Sequence, residues 1–345
     1  MKTRIARLHA AHDLRIETIE VAEPTAGEVL VAVGAGGVCG SDLHYYHHGG
    51  FGAIRVREPI ILGHEVAGIV KALGAGVSNV KIGDKVALNP SLPCGNCQYC
   101  DQGLHHHCLD MLFFGSAMRM PHVQGAFREA MVVKAEQCIP LADHISLAEG
   151  ACAEPLAVCT HARNQAGELN SKKVLVTGAG PIGALCVALS VEAGAAEIVV
   201  TDIQDATLKI AQQMGATKAI NTAANSDTMT EYAANKGHFD VVFECSGAPI
   251  ALSTAIDCIR PQGIIVQVGI GGETNIPLNV LVAKEITLKG TFRFNDEYVE
   301  AVKLINSGKI DVKPIITGRY KLEDAVAAFD AAGDRSRSVK VIIEF

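Results

Sequence analysis

The sequence predicts an α/β protein in which a doubly wound parallel sheet is joined to a second, mostly β domain of barrel-like type. Three observations predict it. Residues 1 to about 150 carry short β-type runs broken by glycine, with few helical periods. From about 151 onward, short strands that are apolar throughout alternate with helical-looking segments, the mark of a parallel sheet covered on both faces. The length of 345 residues accommodates two domains of ordinary size.

The elements follow in chain order. Glu28 to Val33, Val66 to Val70 and Lys85 to Leu88 are too short for helices and are bounded by glycine, so they read as strands of the first domain. Val174 to Thr177, Glu197 to Thr201, Asp240 to Phe243 and Ile264 to Val268 read as strands of the parallel sheet, with helical segments such as Ala206 to Met214 between them. Val174 to Ala196 is nearly uncharged and imitates a membrane span. It holds four glycines and a proline, however, and reads as a buried strand, a turn and a helix. The tail adds helix-like stretches at Asp296 to Ile305 and Leu322 to Ala332, then a strand at Val339 to Phe345 that has no place in the parallel sheet. The expected division is therefore residues 1–150 with 291–345 as the β-rich domain, and 151–290 as the nucleotide-type domain.

Composition narrows the function. A net charge of −7 without any basic run of five argues against nucleic acid as a partner. Eleven cysteines, with no apolar segment after Met1-Lys2-Thr3-Arg4, point to a reduced, cytoplasmic protein that is not held in a membrane. The runs Ile264 to Val268 and Ile286 to Leu288 are expected to form an exposed sheet edge. Edges need covering, so a homo-oligomer is expected, tetramer before dimer.

Gly178-Ala179-Gly180-Pro181-Ile182-Gly183 follows one predicted strand and opens a helix. The first glycine makes the tight turn, the second admits a pyrophosphate and the third allows close helix–strand packing. Asp202, 24 residues after Gly178, ends the next strand, where a carboxylate accepts hydrogen bonds from the adenosine ribose. No arginine follows it directly, which favours NAD over NADP. The competing reading is a glycine turn in a sheet that binds nothing.

Cys94, Cys97, Cys100 and Cys108 lie in one turn-rich loop and match the closed tetrahedral set of a structural Zn²⁺. The alternative is two disulfides, which at this spacing close small, strained rings. Elsewhere, Cys39 lies in Gly-Val-Cys-Gly-Ser-Asp, His64 and Glu65 in Leu-Gly-His-Glu-Val, and Glu154 in Ala-Glu-Pro-Leu near the domain boundary. Taken singly, a cysteine is more often a small buried hydrophobe, and a His-Glu pair is usually surface chemistry.

Together with the glycine turn, these motifs resemble the zinc-dependent medium-chain dehydrogenases over essentially the whole chain. The segment Cys39-Gly-Ser-Asp-Leu-His-Tyr45 and Glu154-Pro-Leu are similar to the polyol branch, that of the sorbitol and L-idonate dehydrogenases. The resemblance implies a Rossmann domain, a GroES-like catalytic domain and two Zn²⁺ per chain. It also implies NAD-dependent oxidation of a secondary hydroxyl of a sugar acid or polyol to a ketone, with L-idonate as the first substrate expected. Sorbitol, xylitol and galactitol are the alternatives, and an NAD(H)-binding protein with idle ligands is the remote one.

By the same resemblance, Cys39, His64 and a carboxylate from Glu65 or Glu154 hold the catalytic zinc, with Cys152 as a fallback ligand. Ser41 takes the hydroxyl proton and His44 passes it towards solvent through the cofactor ribose, a surface histidine being the rival reading of His44. Tyr45, Glu154 and Arg293 line the substrate pocket, with Arg293 or Arg119 available to a sugar-acid carboxylate. Val268, Gly269, Ile270, Phe292 and Arg293 pass beside the cofactor. Phe294 stands where sorbitol dehydrogenase has a tyrosine, and Thr207 where it has an arginine near the adenosine. The run His105 to His107 is expected to be solvated.

Overall fold

A computed structural model describes the backbone of residues 1–345 and the side chains of all but Ser226. Six parallel strands form one sheet, in the spatial order Lys218–Asn221, Glu197–Asp202, Lys173–Thr177, Phe239–Glu244, Ile259–Gln267, Thr287–Gly290. Chain order reverses between Lys173–Thr177 and Phe239–Glu244, the switch point at which such sheets bind ligands. The apolar runs follow from burial on both faces. Val174 and Val176 pack with the helix Pro181–Glu192, while Leu175 between them packs with the helix Pro249–Cys258 on the other face. The stretch that imitated a membrane span is the strand Lys173–Thr177, the glycine turn and the helix Pro181–Glu192. Among the described residues, no helix is long and apolar enough to cross a membrane.

The β-rich part is a seven-stranded sheet in which Glu28–Gly37 is central. Glu65–Leu73 pairs along one side of it. On the other side, Ala130–Lys134 takes its first half and the tail strand Lys340–Glu344 takes Ala35 to Gly37. The C-terminal strand thus enters the N-terminal sheet, and it brings Lys340 beside Glu65. A smaller sheet of Asp13–Glu20, Lys2–Ala10 and Ile60–Ile61 lies alongside.

Two expectations change. Ile264 to Gln267 is not an edge, because Thr287–Gly290 pairs outside it and forms the outermost strand alone. The His105–His107 run, expected to be solvated, is a short 3₁₀ turn in which His107 is exposed but His106 is buried, with its ring 5.0 Å from that of His161.

Candidate active site and metal centres

The helix Gly40–His48 begins at Cys39, which caps it. The carboxylate of Asp42 accepts the Cys39 backbone N–H at 3.0 Å and that of Gly63 at 3.2 Å, so it ties the helix start to the segment carrying His64. Its Oδ1 also lies 3.7 Å from His64 Nδ1, ion-pair proximity that is too long for a hydrogen bond. Ligand atoms of Cys39, His64 and Glu65 all lie within 4.8 Å of one another. Glu154, in the first turn of the helix Ala153–Ala166, is buried and faces the same group. Cys152 is fully buried, and neither it nor Glu154 belongs to that close cluster of three.

Electrostatics show what this cluster lacks. Asp42, Glu65 and Glu154 are buried beside the Cys39 thiol, against one fully buried ammonium, Lys340. Lys340 Nζ donates to both Glu65 oxygens at 2.7 and 2.6 Å and to the Val38 carbonyl at 3.2 Å. Burial, reinforced by Glu65, pushes the Cys39 thiol up to about 12. Burial likewise pushes Glu154 up to about 8, with His64 opposing. A divalent cation among a thiol, an imidazole and carboxylates would offset this excess of acid, and the donor set is that of a catalytic zinc.

Ser41 is half-buried and bonds to Cys39. His44 is exposed on the same helix, and its pKa is lowered from 6.5, first by burial and then by His48 and Arg335. Tyr45 is buried, with its hydroxyl accepting the Ala117 N–H at 3.2 Å. Arg293 has φ 52, a left-handed value that costs a non-glycine residue about 1–3 kcal/mol and is met at functional sites. Its guanidinium lies 4.0 Å over the Phe113 ring, which is itself 5.4 Å from the His64 ring. Among the described residues, Arg293 has no carboxylate within ion-pair distance, and burial lowers its pKa to about 10. Arg119 is instead paired with Asp110 at 2.6 Å. Phe294 is buried against Tyr298 rather than lining an opening, and exposed Phe292 stacks on His107.

In the four-cysteine lobe, the sulfurs of Cys97 and Cys100 are 3.6 Å apart and those of Cys94 and Cys100 are 4.0 Å apart. A tetrahedral Zn–S bond of about 2.3 Å implies an S···S edge of about 3.8 Å. A disulfide would bring two sulfurs to about 2.05 Å; all eleven cysteines are free. Backbone N–H groups of Cys94, Leu109 and Asp110 point at these sulfurs, as they do for thiolates. The N–H of Leu109 is the largest influence lowering Cys97 to about 6.

At the glycine turn, a β-carbon on Gly183 would stand 1.8 Å from the Gly178 carbonyl, and Gly178 itself has φ 86. Gly180 caps the helix, Pro181 is its first residue and Ile182 its second. Asp202 accepts the N–H of Ala179 at 2.6 Å, of Ile203 at 2.7 Å and of Gln204 at 3.0 Å, which fixes the turn against the strand end. Thr207 is buried, and its hydroxyl donates to the Gln204 carbonyl at 2.9 Å. Val268, Gly269 and Ile270 leave the sheet at its carboxyl edge, where Gly269 and Ile270 line a cleft of about 330 Å³.

Three residues had not been anticipated. Asp42 was visible in principle, since an acid three positions after Cys39 has capping-box spacing. Lys340 and Glu244 carried no local signal. Glu244 is fully buried and accepts the N–H groups of Ser246 and Gly247 and the Thr177 hydroxyl, which pins the wall facing Gly178.

Two family models match the chain: the alcohol dehydrogenase GroES-like domain over residues 25–143 and the zinc-binding dehydrogenase over residues 181–307. The chain is 42% identical to L-idonate 5-dehydrogenase (NAD(P)(+)) of Escherichia coli (strain K12), over 95% of this chain and 96% of that protein. It is 35% identical to sorbitol dehydrogenase of Bacillus subtilis (strain 168), over 95% and 93%. The crystal structure of the E. coli L-idonate 5-dehydrogenase superposes with a TM-score of 0.94 at 40% identity, covering 100% of this chain and 99% of that one.

Proposed function

We propose, from the premise that the chain belongs to the zinc-binding medium-chain dehydrogenase family, that it oxidises a secondary hydroxyl of a sugar acid to a ketone with NAD, L-idonate first. Membership makes it a zinc-dependent dehydrogenase of the alcohol and polyol type. The observation that carries the sugar-acid reading is Arg293. Its guanidinium is packed on Phe113 beside the metal cluster and has no carboxylate partner of its own, so a substrate carboxylate is the group it fits.

Cys39, His64 and a carboxylate of Glu65 or Glu154 would hold the catalytic zinc with one position open, and Cys94, Cys97, Cys100 and Cys108 the structural one. Bound there, zinc supplies the Lewis acidity that acidifies a substrate hydroxyl, and the nicotinamide supplies the hydride acceptor. Asp42 places its carboxylate beside His64, and Lys340 donates to both Glu65 oxygens and so holds that carboxylate in place. Ser41 takes the hydroxyl proton. His44 carries it outward, since its lowered pKa leaves it a neutral acceptor near pH 7. Tyr45 and Arg293 position the substrate. Gly178, Gly180 and Gly183 admit the diphosphate, Asp202 selects the unphosphorylated ribose, and Val268 to Ile270 pass beside the ring. The protein is read as a cytoplasmic homo-oligomer, tetramer before dimer, joined through the edge strand Thr287–Gly290.

A polyol such as sorbitol, xylitol or galactitol is the second reading. Glu154 favours it, because its charge is felt at Arg293 and offsets the guanidinium. NADH formation against a panel of aldonates and polyols separates the two. A higher kcat/KM for L-idonate than for sorbitol is expected, and the reverse order would sink the sugar-acid reading.

A further inference from the structure

We propose that Arg335, outside every motif in the sequence, is the cation that holds the diphosphate of the bound dinucleotide; this rests on the dinucleotide-binding reading above. Arg335 lies in the turn between the helix Ala325–Gly333 and the strand Lys340–Glu344. Asp334 shapes that turn: its carbonyl accepts the N–H groups of Arg337 and Ser338, and its carboxylate that of Ser336. The turn presents Arg335 Nη1 3.4 Å from where a β-carbon on Gly180 would stand. Gly180 is the cap of the helix Pro181–Glu192, whose free N–H groups and dipole already favour an anion.

Two further observations place the guanidinium on the cofactor path. Its field reaches His44 on the helix Gly40–His48, while its Nη1 lies at the glycine turn. In the same turn region, a β-carbon on Gly333 would stand 3.3 Å from His47 Nε2. A dinucleotide running from Asp202 towards Cys39 and His64 must cross this gap. The neighbouring cations are committed: Lys340 is buried on Glu65, and Arg337 lies 3.7 Å from Asp334. Among the described residues, Arg335 makes neither hydrogen bond nor ion pair, and it is exposed. A planar guanidinium over two adjacent phosphates can bond both in bidentate fashion, which a lysine cannot. Arg335 thus acts as a strap from the catalytic domain onto the cofactor.

The test titrates ADP-ribose and adenosine into the zinc-loaded wild type and into Arg335→Gln and Arg335→Lys. In Arg335→Gln the Kd for ADP-ribose is expected to rise about tenfold, equivalent to about 1.4 kcal/mol. Adenosine, which has no phosphate, should bind all three proteins alike, Arg335→Lys should recover part of the loss, and KM for NAD should rise while kcat holds. Unchanged ADP-ribose affinity in Arg335→Gln overturns the proposal, and so does an equal loss for adenosine, which would mark a structural role. A wild type that binds neither ligand would instead overturn the dinucleotide reading itself.

Discussion

Replacing Gly183 with alanine tests the cofactor site through packing alone. The added β-carbon would stand 1.8 Å from the Gly178 carbonyl oxygen and 3.4 Å from Val176 Cγ1. Non-bonded carbon and oxygen do not approach closer than about 3 Å, so the helix Pro181–Glu192 must withdraw from the turn by about 1.2 Å. The Val176 contact is an ordinary one, but the Gly178 carbonyl is backbone and cannot swing aside as a side chain would. Overpacking of this kind costs about 1–3 kcal/mol of stability. The larger effect is expected on the ligand, because the amides being displaced are those proposed to cradle the diphosphate. Binding groups misplaced by about 1 Å typically cost about 10²-fold, so the Kd for NADH, read by fluorescence titration, should rise by about that factor. Zinc content should not change, since both ligand clusters lie outside the turn. A variant that folds, keeps its zinc and binds NADH within threefold of wild type would refute the assignment of this turn to the cofactor.

Further outcomes follow from other residues. Asp202→Ala should raise NADP use relative to NAD at least about tenfold, measured as the ratio of kcat/KM values, because it removes the carboxylate proposed to repel a 2′-phosphate. His44→Gln should lower kcat by roughly 10²-fold, the low end for a positioned base. It should also remove the acidic limb of the pH profile. Burial lowers the His44 pKa from 6.5, so the wild-type rate should hold at pH 7 and fall only as pH drops below that ordinary value, where the ring becomes protonated and can no longer accept a proton. Cys100→Ser should lose one zinc and unfold at lower temperature while kcat/KM stays near wild type, because its lobe is separate from the Cys39 cluster. A kcat/KM collapse in a folded variant would put that lobe in the chemistry.

How much of this was legible in the sequence depended on how local each signal was. The glycine turn and the four cysteines are compact, because tight turns and tetrahedral sites confine their residues to short segments. The strands were legible wherever both faces are buried, as at Val174 to Thr177. The helix Gly40–His48 was not, since Asp42, Tyr45 and Tyr46 are its buried residues and make no apolar stripe. Lys340 and Arg335 carry no local signal at all. One reaches Glu65 across 275 positions and the other reaches the glycine turn, and both do so because the tail strand adds to the N-terminal sheet. His106 reads as solvated in the sequence because its neighbours His161 and Asn295 come from distant segments of the chain.

The central claim is that Cys39 and His64 hold the zinc that does the chemistry, apart from the zinc of the four-cysteine lobe. Metal content per chain, measured on wild type and on Cys39→Ser together with turnover and NADH binding, tests it most directly. The two ligand clusters predict two zinc in wild type and one in Cys39→Ser, with turnover abolished and NADH still bound. A Cys39→Ser enzyme that turns over at the wild-type rate, or a wild type that holds no zinc, would contradict it.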